Sequence, residues 1–292
     1  MATSTASYDS ILEDKVVVVT GAASGMGKLL VERLVGHGAR VLLVDISPGI
    51  EQQADEFNKE REKCAAWKVC DLCQSQTIQG ILDYAVEYFG YIDIVVNNAG
   101  IINTASLFQQ PDHTDLERVM RVNLIAPMEG TRAAVQYFRS AGRPGVVLNT
   151  ASVAGLTPVS FMETYGTSKA GVLYFTACCK DLAPHVRVNA VAPYLVDTPF
   201  IAGSAVLNEH PKMLKVGMVK PEQVVDAMLQ AMCDESLAGN TLVVYSDRAP
   251  VTLTMYDDLA VNVVSGMAAG MFGKLYSSLG RLTAAISRMV LH

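Results

Sequence analysis

The stretch Val16-Val17-Val18-Val19-Thr20-Gly21-Ala22-Ala23-Ser24-Gly25-Met26-Gly27 decides the fold. Four successive valines read as a strand buried on both faces, and the glycine-rich run behind them reads as a turn leading straight into a helix. A strand, a tight turn and a helix N-terminus in that order aim backbone N–H groups at one point. That is how an open α/β sheet receives the pyrophosphate of a dinucleotide. Gly21 turns the chain out of the strand, Gly25 lets backbone approach phosphate, and Gly27 lets the helix pack close to the sheet. The spacing departs from G-x-G-x-x-G, and glycine-rich turns also occur where nothing binds. The rest of the chain has to decide between the two readings.

Working outward, apolar runs recur at Val41 to Asp45, Ala66 to Asp71, Ile92 to Asn97, Val146 to Asn149, Val186 to Ala192 and Thr241 to Tyr245. Helical patterns separate them: Met26 to Val35, Pro48 to Lys63, Ser75 to Tyr88, Asp115 to Phe138, Glu163 to Leu182 and Pro221 to Cys233. The strands are continuous Val/Ile/Leu runs rather than alternating ones, as a parallel sheet covered on both faces requires. This alternation predicts an α/β fold, a doubly wound (Rossmann) seven-stranded parallel sheet with helices on both faces. The expected division is a flexible leader over 1–11, one main domain over 12–249 and a helical extension over 250–292.

Composition fits that partition. The chain has 292 residues, 50% hydrophobic and 18% charged, enough for a sizeable core. A formal charge of −6 and the lack of a basic patch argue against nucleic acid as a partner. The first residues carry neither the basic start nor the apolar centre of a secretory signal, which points to a cytoplasmic protein. The six cysteines are then expected as reduced thiols. Cys70-x-x-Cys73 has no second pair or histidine cluster beside it, so no metal site is expected.

Asp45 ends the second strand run, 24 residues after Gly21. A carboxylate there accepts hydrogen bonds from ribose hydroxyls and repels a 2′-phosphate, and no Lys or Arg stands in the turn or just after Asp45 to compensate. NAD is therefore the expected cofactor, although a strand-end aspartate also serves as an ordinary turn residue.

The chemistry lies in the second half. Tyr165 and Lys169 are four residues apart, on one face of a helix. A phenol with an unperturbed pKa near 10 exchanges protons usefully near neutrality only if nearby positive charge lowers that value, and Lys169 is placed to do so. Ser152 follows a strand end and precedes Tyr165 by thirteen residues, so its hydroxyl can reach a substrate oxygen beside the phenol. Asn97-Asn98-Ala99-Gly100 closes the fourth strand, and Asn123 falls within the next helix, where a buried amide needs partners.

With these motifs in this order, the chain resembles the short-chain dehydrogenase/reductase family over about residues 12 to 247. The resemblance implies a catalytic set of Asn123, Ser152, Tyr165 and Lys169. It places the cofactor against Gly21, Ser24, Gly25, Met26, Gly27, Asp45, Asp71, Leu72, Asn98, Ala99, Gly100, Tyr165, Lys169, Pro193, Val196 and Thr198. It further implies that Tyr165 moves the alcohol proton, that Ser152 orients the oxygen, that Lys169 holds the ribose and lowers the tyrosine pKa, and that Asn123 holds a relay water. Asp71 would lie near adenine and Thr198 at the carboxamide. One departure is Pro193-Tyr194, where the family usually has Pro-Gly. A bulky ring there is expected to narrow the nicotinamide or substrate side, or to push the following loop outward.

A substrate lid is expected over 193–220, and its apolar residues, with Val153, Met162, Tyr194 and Phe200, suit a hydrophobic alcohol or ketone such as a terpenoid, steroid or lipid-like molecule. These residues equally suit plain packing of the lid. Residues 251–292 carry apolar positions at helical spacing, with Lys274, Arg281 and Arg288 every seven residues on another face. Such a helix docks on its own subunit or a partner copy, or rests on a membrane surface. Its apolar run is shorter than the ~20 residues of a membrane span. A homodimer or homotetramer is implied by the resemblance. Two functions stand at this point: an NAD-dependent alcohol dehydrogenase or ketone reductase, and the same scaffold recruited for isomerisation, cyclisation or cofactor sensing.

Overall fold

The computed structural model describes residues 5–74, 77–103, 105–202 and 217–254. The chain divides into one unit over 1–252 and a second over 253–292. Residues 255–292, with most of the expected C-terminal helix, and 203–216, the centre of the expected lid, lie outside the described residues.

The strands are β1 (Val16–Thr20), β2 (Arg40–Asp45), β3 (Ala65–Val69), β4 (Ile94–Asn97), β5 (Gly145–Thr150), β6 (Val186–Pro193), β7 (Thr241–Val244) and β8 (Val251–Leu253). They form one sheet in the order 3-2-1-4-5-6-7-8, and neighbours from β3 through β7 pair in parallel. The expected seven strands are thus eight. The expected helical extension from residue 250 begins instead with β8, where Val251 and Thr252 favour extended backbone after Pro250.

Because successive side chains leave a strand on opposite sides, each valine run feeds two cores. Val17 and Val19 enter one core, with Val41, Leu43, Ile94 and Val96. Val16 and Val18 enter the other, with Leu42, Val44 and Val95. Helices α2 (Gly25–Gly36), α3 (Ile50–Glu60) and α9 (Pro221–Cys233) supply Leu30, Leu34, Ile50 and Met228 to the first. Helices α4 (Thr77–Phe89) and α6 (Ala126–Ser140) supply Ile81, Ala134 and Phe138 to the second.

Three local expectations change. The leader is not structureless from Thr5 onward: Thr5–Leu12 forms α1, with Leu12 fully buried and the Tyr8 ring edge-on to His37 at 5.9 Å. Its few apolar residues give too short a periodic signal to read, and the helix is fixed by the core it covers. The helix expected over Asp115 to Phe138 is broken: α5 (Thr114–Met120) passes through a π-turn at Arg121–Ile125 into α6. The helix expected over Glu163 to Leu182 ends earlier, as α7 (Glu163–Cys178) followed by a 3-10 turn at Lys180–Leu182. A short helix, α8 (Pro199–Ala202), falls in the segment expected as a lid.

Glycine substitutions separate packing from propensity. A Cβ on Gly130 of α6 would collide with the Asn97 side chain, whereas one on Gly80 of α4 meets nothing within 4 Å. Gly130→Ala is expected to destabilise the protein by ~1–3 kcal/mol, and Gly80→Ala to stabilise it by ~0.5–1 kcal/mol. Denaturant unfolding of the two variants beside the parent chain checks both signs.

Candidate active site

The strand order reverses between β1 and β4, whose outgoing connections diverge and open a crevice at their carboxyl ends. Side-chain hydrogen bonds fix its floor. The Thr20 hydroxyl accepts from the Asn98 and Ala99 N–H groups at 3.0 and 3.1 Å. The Asn98 amide donates to the Thr20 and Gly21 carbonyls at 3.0 and 3.2 Å. Gly21 and Gly25 take φ values of +68° and +53°, in the left-handed region that glycine enters without strain. A Cβ on Gly27 would collide with the Gly21 carbonyl oxygen, so helix and turn meet at a distance only glycine permits.

Asp45 holds this turn from β2. One carboxylate oxygen accepts from the Ala23 N–H at 2.9 Å and the other from Ser47 at 2.9 Å. Asp71, after β3, accepts from the Cys73 N–H at 2.9 Å. Both carboxylates face a cavity of about 900 Å³ that runs from the β3 loop, over the glycine turn, to the N-terminal turns of α7.

At the α7 end Tyr165 and Lys169 are buried, one helical turn apart. The Lys169 ammonium donates to the Thr150 carbonyl at 2.7 Å and lies 5.8 Å from the Tyr165 ring centre. Ser152, the cap of a 3-10 turn at Val153–Gly155, accepts from the Ala154 N–H at 3.1 Å and lines the same cavity as Tyr165. Burial pushes the Tyr165 phenol above its ordinary value, opposed in part by the Ser152 hydroxyl. Burial also pulls Lys169 down to about 8. The expected lowering of the tyrosine by the lysine is not met in the chain alone: desolvation disfavours both charged forms.

Every residue expected at the cofactor lines this cavity: Gly21, Ser24, Gly25, Met26, Gly27, Asp45, Asp71, Leu72, Asn98, Ala99, Gly100, Tyr165, Lys169, Pro193, Val196 and Thr198. So do Ser152 and the expected substrate contacts Val153, Met162, Tyr194 and Phe200. Asn123 does not. It is fully buried in the π-turn, donating to the Ile101 carbonyl at 2.8 Å and to the Ser168 hydroxyl at 3.2 Å, and accepting from the Ile101 N–H at 2.8 Å. The Ser168 hydroxyl donates in turn to the Tyr165 carbonyl at 2.6 Å. The Phe200 ring, on α8, is centred 6.3 Å from that of Tyr165.

Tyr194 does not displace the chain where it stands. Its N–H continues the β6–β7 ladder to the Val244 carbonyl at 2.9 Å, and its ring packs on the core beneath while lining the cavity. Sequence reasoning passed over Thr20 and Ser168 as working residues, because a hydroxyl's partners are set by tertiary contact. It also set Cys70 and Cys73 aside, although both residues line the cavity, with burial pushing Cys70 up to about 11.

Three comparisons bear on this site. Residues 15–205 match the family model described as short chain dehydrogenase. A 3beta-hydroxysteroid dehydrogenase 2 of Eggerthella lenta is 32% identical over 84% of this chain and 93% of its own length, and a 15-hydroxyprostaglandin dehydrogenase [NAD(+)] of Mus musculus is 29% identical over 77% and 87%. Among solved structures, a short-chain type dehydrogenase/reductase from Mycobacterium marinum superimposes with a TM-score of 0.73 at 27% identity, covering 85% of this chain and 97% of its own. With the strand order, the glycine turn and the match across most of the sheet in agreement, the chain belongs to the short-chain dehydrogenase/reductase family.

Proposed function

We propose that the protein transfers a hydride between NAD and a secondary alcohol or ketone of a hydrophobic small molecule. The observation that carries this reading is the meeting of Ser152, Tyr165 and Lys169 in the same cavity as the glycine turn and Asp45. The turn fits a pyrophosphate: two glycines in the left-handed region and a third that excludes any side chain leave bare backbone facing the cavity. Asp45 suits ribose hydroxyls, since each of its oxygens keeps a lone pair beyond the backbone bond it already accepts. Its charge disfavours a 2′-phosphate, and its neighbour Ile46 offers no compensation.

Bound here, the nicotinamide ring supplies the hydride acceptor or donor. The chain supplies the proton and the geometry. Tyr165 takes the hydroxyl proton in oxidation and returns it in reduction, and Ser152 orients the substrate oxygen against the phenol. Lys169 sets a positive charge beside the phenol, where low dielectric strengthens its effect. Asn123 acts as a positioning residue: its amide is engaged with Ile101 and Ser168, and so ties the loop after β4 to the helix that carries Tyr165.

The substrate end of the cavity is apolar. Val153, Phe161, Met162, Leu195, Phe200 and Ile201 line it, and among the described residues no fixed charge other than Lys169 does so. That supports a hydrophobic alcohol, as do the hydroxysteroid and hydroxyprostaglandin named for two relatives. The exposed apolar residues Ile125, Met128 and Tyr174, on the π-turn, α6 and α7, suit a homodimer or homotetramer. No helix of the described residues is long and apolar enough to cross a membrane.

Three measurements test the reading. Tyr165→Phe is expected to lower kcat by about 10²–10⁴ while NADH affinity, read by calorimetry, stays within about threefold; equal turnover would exclude the tyrosine mechanism. The parent chain is expected to prefer NAD to NADP, and Asp45→Ala to narrow that preference by about tenfold, measured as the ratio of kcat/KM values. Lys169 separates stability from activity. Its folded pKa, about 8, lies below the ordinary 10.5, so the unfolded chain binds more protons between those values and the folded state gains stability as pH rises through them. Lys169→Met lacks this slope. Its melting temperature relative to the parent should be highest near pH 7 and fall by pH 10, while hydride transfer is lost at both.

A further inference from the structure

We propose that Arg118 is a cofactor-reading residue: its guanidinium closes the adenine end of the cavity and binds the base there. This rests on the NAD reading above. With the pyrophosphate at the glycine turn and the reacting ring beside Tyr165, the base occupies the opposite end, between the loops after β2 and β3 and the start of the π-turn.

Four charged side chains line the cavity among the described residues: Asp45, Asp71, Arg118 and Lys169. Lys169 belongs to the reacting end, and Asp45 is held at the turn by Ala23. Asp71 and Arg118 share the far end. The Cys73 N–H bonds Asp71, and the positive charge of Arg118 acts on the Cys73 thiol against the rise that burial imposes. Opposite charges so placed would ordinarily pair. They do not: the Arg118 side chain makes no ion pair or hydrogen bond among the described residues, so guanidinium and carboxylate are not in contact although both residues line the cavity. Arg121, less than one turn along, is committed instead, through two parallel bonds of 2.9 Å to Glu129.

The walls of this end of the cavity suit a flat aromatic ring. Leu72, Ile46 and Val122 are apolar, and Val122 lies one turn beyond Arg118 on the same helical face. Adenine offers an amino donor, which a carboxylate accepts, and ring nitrogens and a π face, which a planar guanidinium can donate to or stack on. A lysine in the same place would bring charge without the plane. Arg118 is exposed on α5, so its removal is expected to leave the fold intact.

The test compares full-chain protein with Arg118→Gln and Arg118→Lys by calorimetric titration, using NADH, reduced nicotinamide mononucleotide, which lacks the adenosine half, and NADPH. Arg118→Gln is expected to weaken NADH about three- to thirtyfold with mononucleotide affinity unchanged, and Arg118→Lys to restore only part of the loss. Unchanged NADH affinity overturns the proposal, as does equal weakening of NADH and the mononucleotide, which would place the effect in the fold. NADPH bound more tightly than NADH, with the difference lost in Arg118→Gln, also overturns it, by making Arg118 a phosphate ligand. A parent chain that binds none of the three refutes the cofactor reading itself, a separate result from any variant's behaviour.

Discussion

The crevice depends on how the ends of β1 and β4 are tied together. At a point where strand order reverses, outgoing connections diverge and leave backbone groups with no sheet partner. Thr20 resolves this with one hydroxyl, accepting from the N–H groups of Asn98 and Ala99 while donating to the Val96 carbonyl at 3.3 Å. Asn98 answers with its amide on the Thr20 and Gly21 carbonyls. The glycine turn is therefore braced on both flanks, by β4 through Asn98 and by β2 through the Asp45 bond to Ala23. The Ala22 N–H is engaged as well, with the Val44 carbonyl at 3.2 Å, so the turn's conformation is fixed where it lines the cavity.

The reacting end is set by contact of the same closeness. A Cβ on Gly155 would come within 2.6 Å of the backbone at Lys169 and Ala170, so the loop carrying Ser152 lies directly on the helix carrying Tyr165 and Lys169. A buried polar network holds that helix to the sheet. Asn97 donates to Asn149 at 2.9 Å, and Asn149 donates to Thr176 of α7 at 3.1 Å. Asn97 also donates to the Pro127 carbonyl and the Thr131 hydroxyl of α6, each at 3.3 Å. Amides buried between strands and helices are costly unless satisfied, and here that requirement fixes register between layers in a way interchangeable apolar contacts do not.

Fold and site were legible in the sequence to different degrees for identifiable reasons. The valine runs and glycine turn are local: their meaning is carried by period and backbone freedom, which residue identity alone specifies. That Asp45, Ser152, Tyr165 and Lys169 would meet in one cavity is legible because each sits at a fixed offset from such a landmark. The π-turn at Asn123 was not, since one extra residue in a helical turn alters no composition or spacing rule. Nor was α1, whose stability comes from the core beneath Leu12 rather than from its own pattern. Tyr194 shows the opposite case. The unusual residue was plain in the sequence, but only the fold could show that its N–H stays in the ladder and its ring leans onto the core.

The ionisations at the reacting end argue that this site is completed by what enters it. Burial drives the phenol of Tyr165 and the ammonium of Lys169 toward their neutral forms, and the one lysine bond between them and the strand, to Thr150, does not offset that cost. In water such a penalty would be small and diffuse. In a cavity walled by Val153, Met162 and Phe200, each charge or hydrogen-bond donor that arrives is screened little and acts on both groups at once. Cofactor and substrate binding are then coupled to the protonation of the pair, because whatever stabilises the phenolate or the ammonium must also bind more tightly when that form is present. With a pKa of about 8 Lys169 still carries its charge near neutrality, while burial holds the Tyr165 phenol protonated, so in the chain alone it is the phenolate that desolvation opposes most.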